Sequence, residues 1–356
     1  MDLNNLILIL ILIGVNILFY KHFLVILNKY NPSLLIDDQL KKPQAFHTSP
    51  TSVIGGMGIF FSLLIIYFYF LLFKNVSFFE HLSFCTLFFL LGFIDDLKIN
   101  VNPKIRLALM IVFLILLVKY NNFYLEKTGI EILNNWLKNS AIFSLIFILL
   151  CFLFVINGAN LIDGFNGLLT IHLIIINFIL LLINIENQNT ELALVLTGQI
   201  AIFFSFLLFN FPNAKIFLGD SGSYLFGSLI ALNIIETNNL NPDISSFFFC
   251  ILLFYLFFEV FFSFFRKIYL RKSPLKPDKS HLHMILYECL DKSQRFKDSN
   301  YLNSIAINLI YFSLIFPAIF FKENALTSRY YFFFLLLVYV LIYFRLYSFA
   351  KKRFDI

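Results

Sequence analysis

The stretch Gly92-Phe93-Ile94-Asp95-Asp96, followed closely by Pro103-Lys104-Ile105-Arg106, is the part of the sequence from which the fold is best read. A long apolar run ends there at two adjacent carboxylates, and a basic turn comes next. Charged side chains at the edge of a bilayer are costly unless they pair, meet water or bind a ligand. We therefore expect this stretch to end a membrane helix and to form part of a binding site.

The composition around this stretch is that of a membrane protein. Of the 356 residues, 60% are hydrophobic and 13% charged, with a mean hydropathy of +0.84, whereas soluble domains carry about 25% charged residues. We predict an all-α integral membrane protein, one polytopic domain over residues 1–356, with about eleven transmembrane helices. The apolar segments are roughly 3–27, 52–73, 78–94, 105–120, 140–157, 167–184, 192–211, 222–237, 244–265, 301–321 and 328–347.

The basic residues predict the orientation. Residues 3–20 are apolar with no basic residue before them and no small-residue cleavage site after them, so we expect a membrane helix and not a cleavable signal. Lys21, His22 and Lys29 follow this helix, so we expect its N-terminus outside. Alternation then places 18 Lys and Arg residues in the inside loops, 5 in the outside loops, and the C-terminus in the cytoplasm. The inside loops are 28–50, 95–106, 157–167, 210–222, 267–300 and 347–356, and we expect the first five to form the active site.

Several other classes of protein are excluded. The net charge of +6 resides in short loops without interleaved stacking residues, so we expect no nucleic-acid partner. None of the four cysteines has the spacing of metal ligands, and we expect no disulfide.

The pair Asp95–Asp96 has two interpretations. It can cap a helix or pair with Lys98, Lys104 and Arg106. Alternatively, the repulsion between neighbouring carboxylates invites a cation, and Mg²⁺ is usually bound by one or two carboxylates together with substrate phosphates. We favour the metal site.

Two further inside loops carry polar motifs. In the segment Asn157–Gly167, the spacing of three between Asn157, Asn160, Asp163 and Asn166 predicts one helical face, although these residue types also form ordinary turns. The segment Phe217–Ser223 contains Gly219-Asp220-Ser221-Gly222, which suits a metal–phosphate unit at a helix start; an Asp220 N-cap is compatible with that role.

The remaining charged features are weaker signals. Ser280-His281-Leu282-His283 lies in a basic loop and favours phosphate or sugar contact over zinc, because no further ligands complete a tetrahedral set. Lys41, Lys42 and His47 form either a solvated loop or a basic lip for a lipid headgroup. Glu259 lies within an apolar run seven residues before Arg266, and we expect it to snorkel or pair.

Together these motifs resemble those of the polyprenyl-phosphate N-acetylhexosamine-1-phosphate transferases, or glycosyltransferase family 4, from about residue 40 to 290. The resemblance implies that a polyprenyl phosphate attacks the β-phosphorus of a UDP-N-acetylhexosamine and releases UMP, with Mg²⁺ required and Mn²⁺ as a substitute. We expect transfer of GlcNAc-1-phosphate from UDP-GlcNAc to undecaprenyl phosphate, in the bacterial inner membrane with a cytoplasmic active site. This step would initiate O-antigen or a related surface glycan, in lipopolysaccharide or cell-wall biogenesis.

The resemblance also implies residue roles. Catalytic roles fall to Asp95, Asp96 and Asp163. The metal ligands would be Asp220, Asp95 and Asn160. The donor would contact Asn157, Asn160, Asn166, Phe217, Gly219, His281 and His283. Phosphates would contact Lys104, Arg106 and His47.

Two departures from the family pattern affect the expected substrate. Asn166 stands where many relatives have Asp and cannot ionise, and Met284 stands where the histidine motif often has another His. The second departure leans away from the alternative donor, the UDP-MurNAc-pentapeptide of lipid-I synthase. A multi-pass transporter or lipid flippase is the alternative in another class, and the oligomeric state stays open, a homodimer being one option.

Overall fold

The computed structural model describes residues 3–30, 35–37, 50–99, 101–274, 276, 278–294 and 298–354. Over these ranges the chain is helical apart from its loops and one pair of two-residue antiparallel strands. The elements are α1 (Leu3–Tyr30), β1 (Ile36–Asp37), β2 (Thr51–Ser52), α2 (Gly55–Tyr69) with a π-helical turn (Phe70–Lys74), α3 (Phe79–Asp96), α4 (Pro103–Tyr120), α5 (Glu131–Asn139), α6 (Ala141–Ile162), α7 (Leu168–Glu186), α8 (Thr190–Asn210), α9 (Gly219–Leu240), α10 (Ser246–Tyr269), α11 (Leu282–Lys292), α12 (Ser299–Ile315) with a 3₁₀ turn (Phe316–Phe321), and α13 (Ala325–Phe354).

The all-α class is confirmed, and each predicted apolar segment coincides with a helix. Within the described ranges, eight helices are long and apolar enough to cross a membrane. The segments at 78–94, 105–120 and 222–237 form α3, α4 and α9, which are not among those eight. The count of eleven spanning helices and the orientation therefore stay predictions.

Helix α9 lies at the centre of the bundle, with most of its side chains buried. It packs against α2, α3, α6 and α7. The approach to α3 is close enough that a Cβ atom on Gly92 would lie 2.2 Å from the carbonyl oxygen of Asp220. Small residues permit such close contact between membrane helices. The last turn of α3 and the first turn of α9 are therefore held side by side.

Loops predicted to lie inside meet at one end of the bundle. The N–H of Asp220 donates to the Asp96 carboxylate across 2.8 Å, and the Asn166 side chain donates to the carbonyl of Pro212 across 2.8 Å. These contacts join three of the predicted loops, 95–106, 157–167 and 210–222. Most of the loop 28–50 lies outside the described residues.

Loops predicted to lie outside meet at the other end. The Lys127 ammonium donates to the carbonyl of Asn241 at 3.2 Å, and Lys322 pairs with Glu186. The two sets of loops thus occupy opposite ends of the bundle, as strict alternation of the helices requires.

The strand pair anchors the segment that precedes α9. The N–H of Phe217 donates to the carbonyl of Ser52 at 2.7 Å, and the N–H of Gly55 donates to the carbonyl of Phe217 at 2.9 Å. The start of α9 is consequently fixed from both sides, by α3 and by the backbone around β2.

Candidate active site

The first turn of α9 is capped from another helix. The Asp96 carboxylate, at the end of α3, accepts the N–H of Asp220 at 2.8 Å and the N–H of Ser221 at 3.0 Å. The turn depends on Gly219, whose φ is +80° and whose Cβ, if present, would lie 2.6 Å from Oδ2 of Asp96. Carboxylates satisfy the unpaired N–H groups of a helix start and its positive dipole end. The cap of α9 is thus Asp96, and the sequence-based alternative of Asp220 as N-cap is wrong.

Asp220 lies one residue inside α9 and faces both an amide and a cation. Its Oδ1 accepts from the Asn160 side chain at 2.7 Å, and the same amide donates to the Ser223 hydroxyl at 2.9 Å. Its Oδ2 lies 3.7 Å from Nη1 of Arg106, which donates to Oδ2 of Asp95 at 2.6 Å. The Asp220 side chain remains 38% exposed. Arg106 therefore bridges two carboxylates, and the amide of Asn160 orients one of them.

Asp163 follows the last residue of α6 and completes the acidic cluster. No hydrogen-bond donor to its carboxylate is found among the described residues. Burial, reinforced by the charges of Asp220 and Asp96, raises the pKa of Asp163 to about 8. Burial and the nearby charge of Asp220 also raise the pKa of Asp96. We define Asp95, Asp96, Asp163 and Asp220 as the acidic cluster.

A divalent cation suits the acidic cluster. A bound cation would relieve the mutual repulsion that adds to burial in raising these pKa values, and carboxylate oxygens are ligands that Mg²⁺ prefers. Among the described residues, no three His, Cys, Asp or Glu side chains are arranged to hold a metal by themselves. Mg²⁺ commonly takes one or two carboxylates and draws its other ligands from water and substrate phosphates.

The polar stripe predicted over residues 157–166 is only partly helical. Helix α6 ends at Ile162, so that Asn157 and Asn160 lie on the helix, Asp163 is its C-cap and Asn166 lies in the following turn. The prediction that all four side chains share one helical face is therefore wrong. Three-residue spacing cannot reveal where a helix ends, because Asn, Asp and Gly are also turn residues.

Several predicted contact residues already have partners within the protein. The Asn157 side chain donates to the carbonyl of Leu153 on its own helix at 2.7 Å. The Asn166 side chain holds the 210–222 loop through Pro212. Lys104 is exposed in the first turn of α4. His47 lies outside the described residues, and its predicted phosphate contact stays a prediction.

The predicted donor-contact histidines lie in a second buried cluster. His281 and His283 are 1% and 0% exposed, and Nδ1 of His281 lies 3.0 Å from Oε2 of Glu259. Burial lowers the pKa of His283 to about 4, so its ring is neutral at pH 7. The His283 ring lies 5.9 Å from that of Phe165, two residues after Asp163. This contact connects the second cluster to the turn that carries part of the acidic cluster.

Glu259 was expected either to snorkel or to pair, and the structure shows it paired. It is 1% exposed and does not snorkel to an interface. Its ionic partner is His281, while Arg266 pairs with Asp278 at 2.9 Å. The available signal was a lone acid within an apolar run, which is expensive without a specific partner.

Fold and site together define a helical membrane protein with an acidic cluster at one end of its bundle. Residues 78–238, which include the whole acidic cluster, match the family model of glycosyl transferase family 4. Similar curated proteins are polyprenyl-phosphate or phospho-sugar transferases of this superfamily. The matched part of the chain is similar to this superfamily, and the resemblance drawn from the motifs is confirmed.

Three relatives illustrate the similarity. The phospho-N-acetylmuramoyl-pentapeptide-transferase of Dictyoglomus turgidum is 36% identical over 194 residues, 52% of this chain and 59% of the relative. The undecaprenyl-phosphate alpha-N-acetylglucosaminyl 1-phosphate transferase of Thermotoga maritima is 27% identical over 246 residues, 69% and 71% of the two chains. The phospho-N-acetylmuramoyl-pentapeptide-transferase of Streptococcus pneumoniae serotype 2 is 31% identical over 209 residues, 54% and 61%.

These alignments bear on the donor sugar. The chain spans 59% and 61% of the two pentapeptide transferases, and both exceed 30% identity. Both relatives are named for the type of transferase that the sequence offered as the alternative, so the expected transfer of GlcNAc-1-phosphate is not confirmed.

Proposed function

We propose that this chain transfers a sugar-1-phosphate from a UDP-N-acetylhexosamine to a polyprenyl phosphate and releases UMP. The observation that carries the proposal is the bridge formed by Arg106 between Asp95 and Asp220, beside Asp163. It lies within the part of the chain that matches a family of sugar-phosphate transferases.

The site suits a reaction between two anions. Phosphoryl transfer requires charge neutralisation and alignment more than covalent help from the protein. Arg106 supplies a fixed cation, and the partly exposed Asp220 would hold Mg²⁺ with Asp95 and Asn160 beside it. Mg²⁺, when bound, would neutralise phosphate oxygens and orient the donor diphosphate.

The geometry favours direct displacement over a covalent aspartyl-phosphate. Both oxygens of Asp96 accept backbone N–H groups, and Asp95 is paired with Arg106. A phosphate monoester has a second pKa near about 6 and is mostly dianionic at pH 7, so little proton remains for a base to remove. Detection of a phosphorylated aspartate after incubation with UDP-sugar alone would contradict this mechanism.

Two donors are candidates, each supported by a separate observation. The pentapeptide transferases above 30% identity favour UDP-MurNAc-pentapeptide. UDP-GlcNAc is favoured by Met284, which stands in the histidine motif and is buried, and by the longer alignment with the T. maritima transferase.

One assay tests both the reaction and the donor. Purified protein receives undecaprenyl phosphate, Mg²⁺ and each UDP-sugar in turn, and release of UMP is measured. We expect one donor to give turnover that requires the lipid acceptor. Absence of UMP release with every donor, from protein that retains a cooperative thermal transition, would refute the proposed function.

We further propose that the acidic cluster faces the cytoplasm. The loops at this end of the bundle belong to the set with 18 basic residues against 5 in the other set, which is the cytoplasmic signature in membrane proteins. Reporter fusions at the C-terminus should show cytoplasmic activity, and periplasmic activity would reverse the assignment.

A further inference from the structure

Glu259 contacts the start of α11 from within α10. Its Oε1 accepts the N–H of Leu282 at 2.9 Å, and its Oε2 lies 3.0 Å from Nδ1 of His281. Leu282 is the first residue of α11 and His281 its N-cap position, where no side-chain cap of its own is made. The first N–H groups of a helix need partners from outside the helix. Glu259 supplies one such partner across 23 residues of sequence.

The opposite edge of the His281 ring is also held. Its Nε2 lies 3.3 Å from Oδ1 of Asp278. Both oxygens of Asp278 accept from Nη2 of Arg266, at 3.0 and 2.9 Å, and Nη1 of Arg266 donates to the Tyr343 hydroxyl at 2.7 Å. His281 is thus fixed between two carboxylates, one at each ring nitrogen.

His283 differs from His281 in this respect. Its Nδ1 lies 3.2 Å from the Tyr255 hydroxyl, which is one helical turn before Glu259 on α10. Its Nε2 is buried and has no hydrogen-bond partner among the described residues. A buried polar atom without a partner is costly, and here it belongs to a ring that packs against Phe165.

We propose that Glu259 is a positioning residue that fixes His281 and the first turn of α11, and so presents Nε2 of His283 beside the turn that follows Asp163. The placement is independent of the reaction, whereas its effect on donor binding rests on the proposed function. A buried carboxylate is tolerated only when its partners are specific, and the partners of Glu259 among the described residues belong to the segment that it places or to the neighbouring helices.

Cys289 gives a readout that does not depend on activity. This thiol lies on α11 and is 8% exposed. We expect Glu259→Gln to raise the rate at which a water-soluble maleimide labels Cys289 at least tenfold. The amide has one accepting oxygen in place of two, so it cannot accept from both the Leu282 N–H and the His281 ring, and the first turn of α11 loosens. Glu236→Gln is the matched control, because Glu236 on α9 forms another Glu–His pair, 3.3 Å from His81 on α3. We expect this control to leave the rate of Cys289 labelling within twofold of wild type. Wild-type labelling of Cys289 in Glu259→Gln would overturn the proposal.

Kinetics separate the positioning role from a general loss of structure. In Glu259→Gln we expect the KM for the UDP-sugar to rise by about 10- to 100-fold, the range seen when a supporting contact is removed, with a smaller change in kcat. Glu259→Asp keeps the charge but is one methylene shorter, so it should give intermediate labelling and KM. If Glu259→Gln does not accumulate, wild-type labelling and KM in Glu259→Asp would overturn the proposal. The two proposals can fail independently. If Glu259→Gln alters Cys289 labelling but the wild-type protein releases no UMP, the positioning role of Glu259 is supported and the proposed function is refuted.

Discussion

Replacement of Gly219 by Ala tests the link between backbone geometry and the acidic cluster. Gly219 adopts φ +80°, and a Cβ atom there would lie 2.6 Å from Oδ2 and 2.9 Å from Oδ1 of Asp96. The methyl group therefore requires both a left-handed alanine and displacement of the carboxylate that caps α9.

The magnitude follows from these two terms. An L-residue in the left-handed region costs about 1–2 kcal/mol. Displacement of Asp96 weakens its hydrogen bonds to the N–H groups of Asp220 and Ser221, and hydrogen bonds to a charged group contribute about 1.5–3 kcal/mol each. Because relaxation retains part of these bonds, we expect a destabilisation of about 4 kcal/mol. A shift of about 1 Å in Asp220 would lower kcat/KM by about 100-fold.

Thermal unfolding in detergent and UMP release measure the two consequences. Gly164→Ala is the matched control, because Gly164 lies in the neighbouring turn and a Cβ there would meet nothing within 4 Å. We expect the control to retain the Tm and activity of wild type. Equal Tm and equal kcat/KM in Gly219→Ala and Gly164→Ala would refute the proposed cap by Asp96.

Three further predictions concern the same end of the bundle. Asp220→Asn should lower UMP release by about 100- to 1,000-fold, the scale of a removed charge-stabilising group, while membrane insertion stays normal; near-wild-type turnover would show that Asp220 is not the metal ligand. EDTA should abolish UMP release and added Mg²⁺ should restore it, whereas activity that persists in EDTA would exclude the magnesium requirement. Gly92→Ala should reduce the yield of folded protein by size-exclusion chromatography, since its Cβ would lie 2.2 Å from the Asp220 carbonyl oxygen; a wild-type yield and Tm would contradict the close approach of α3 and α9.

The sequence by itself determined the helical architecture and the residue types of the site. Apolar runs are local signals, because each membrane helix satisfies its backbone hydrogen bonds within its own segment. Every predicted apolar segment therefore coincides with a helix. The amphipathic helices α5 and α11 were missed, since each has only 9 or 11 residues and lies in a region predicted as loop.

Only the tertiary structure decided which partner each charged group has. Two adjacent carboxylates look equivalent in the sequence, yet Asp95 pairs with Arg106 while Asp96 caps a helix that begins 123 residues later in the chain. Glu259 likewise has its partner at His281, 22 residues away. Such pairings depend on how helices distant in sequence pack together, and local periodicity carries no information about that packing.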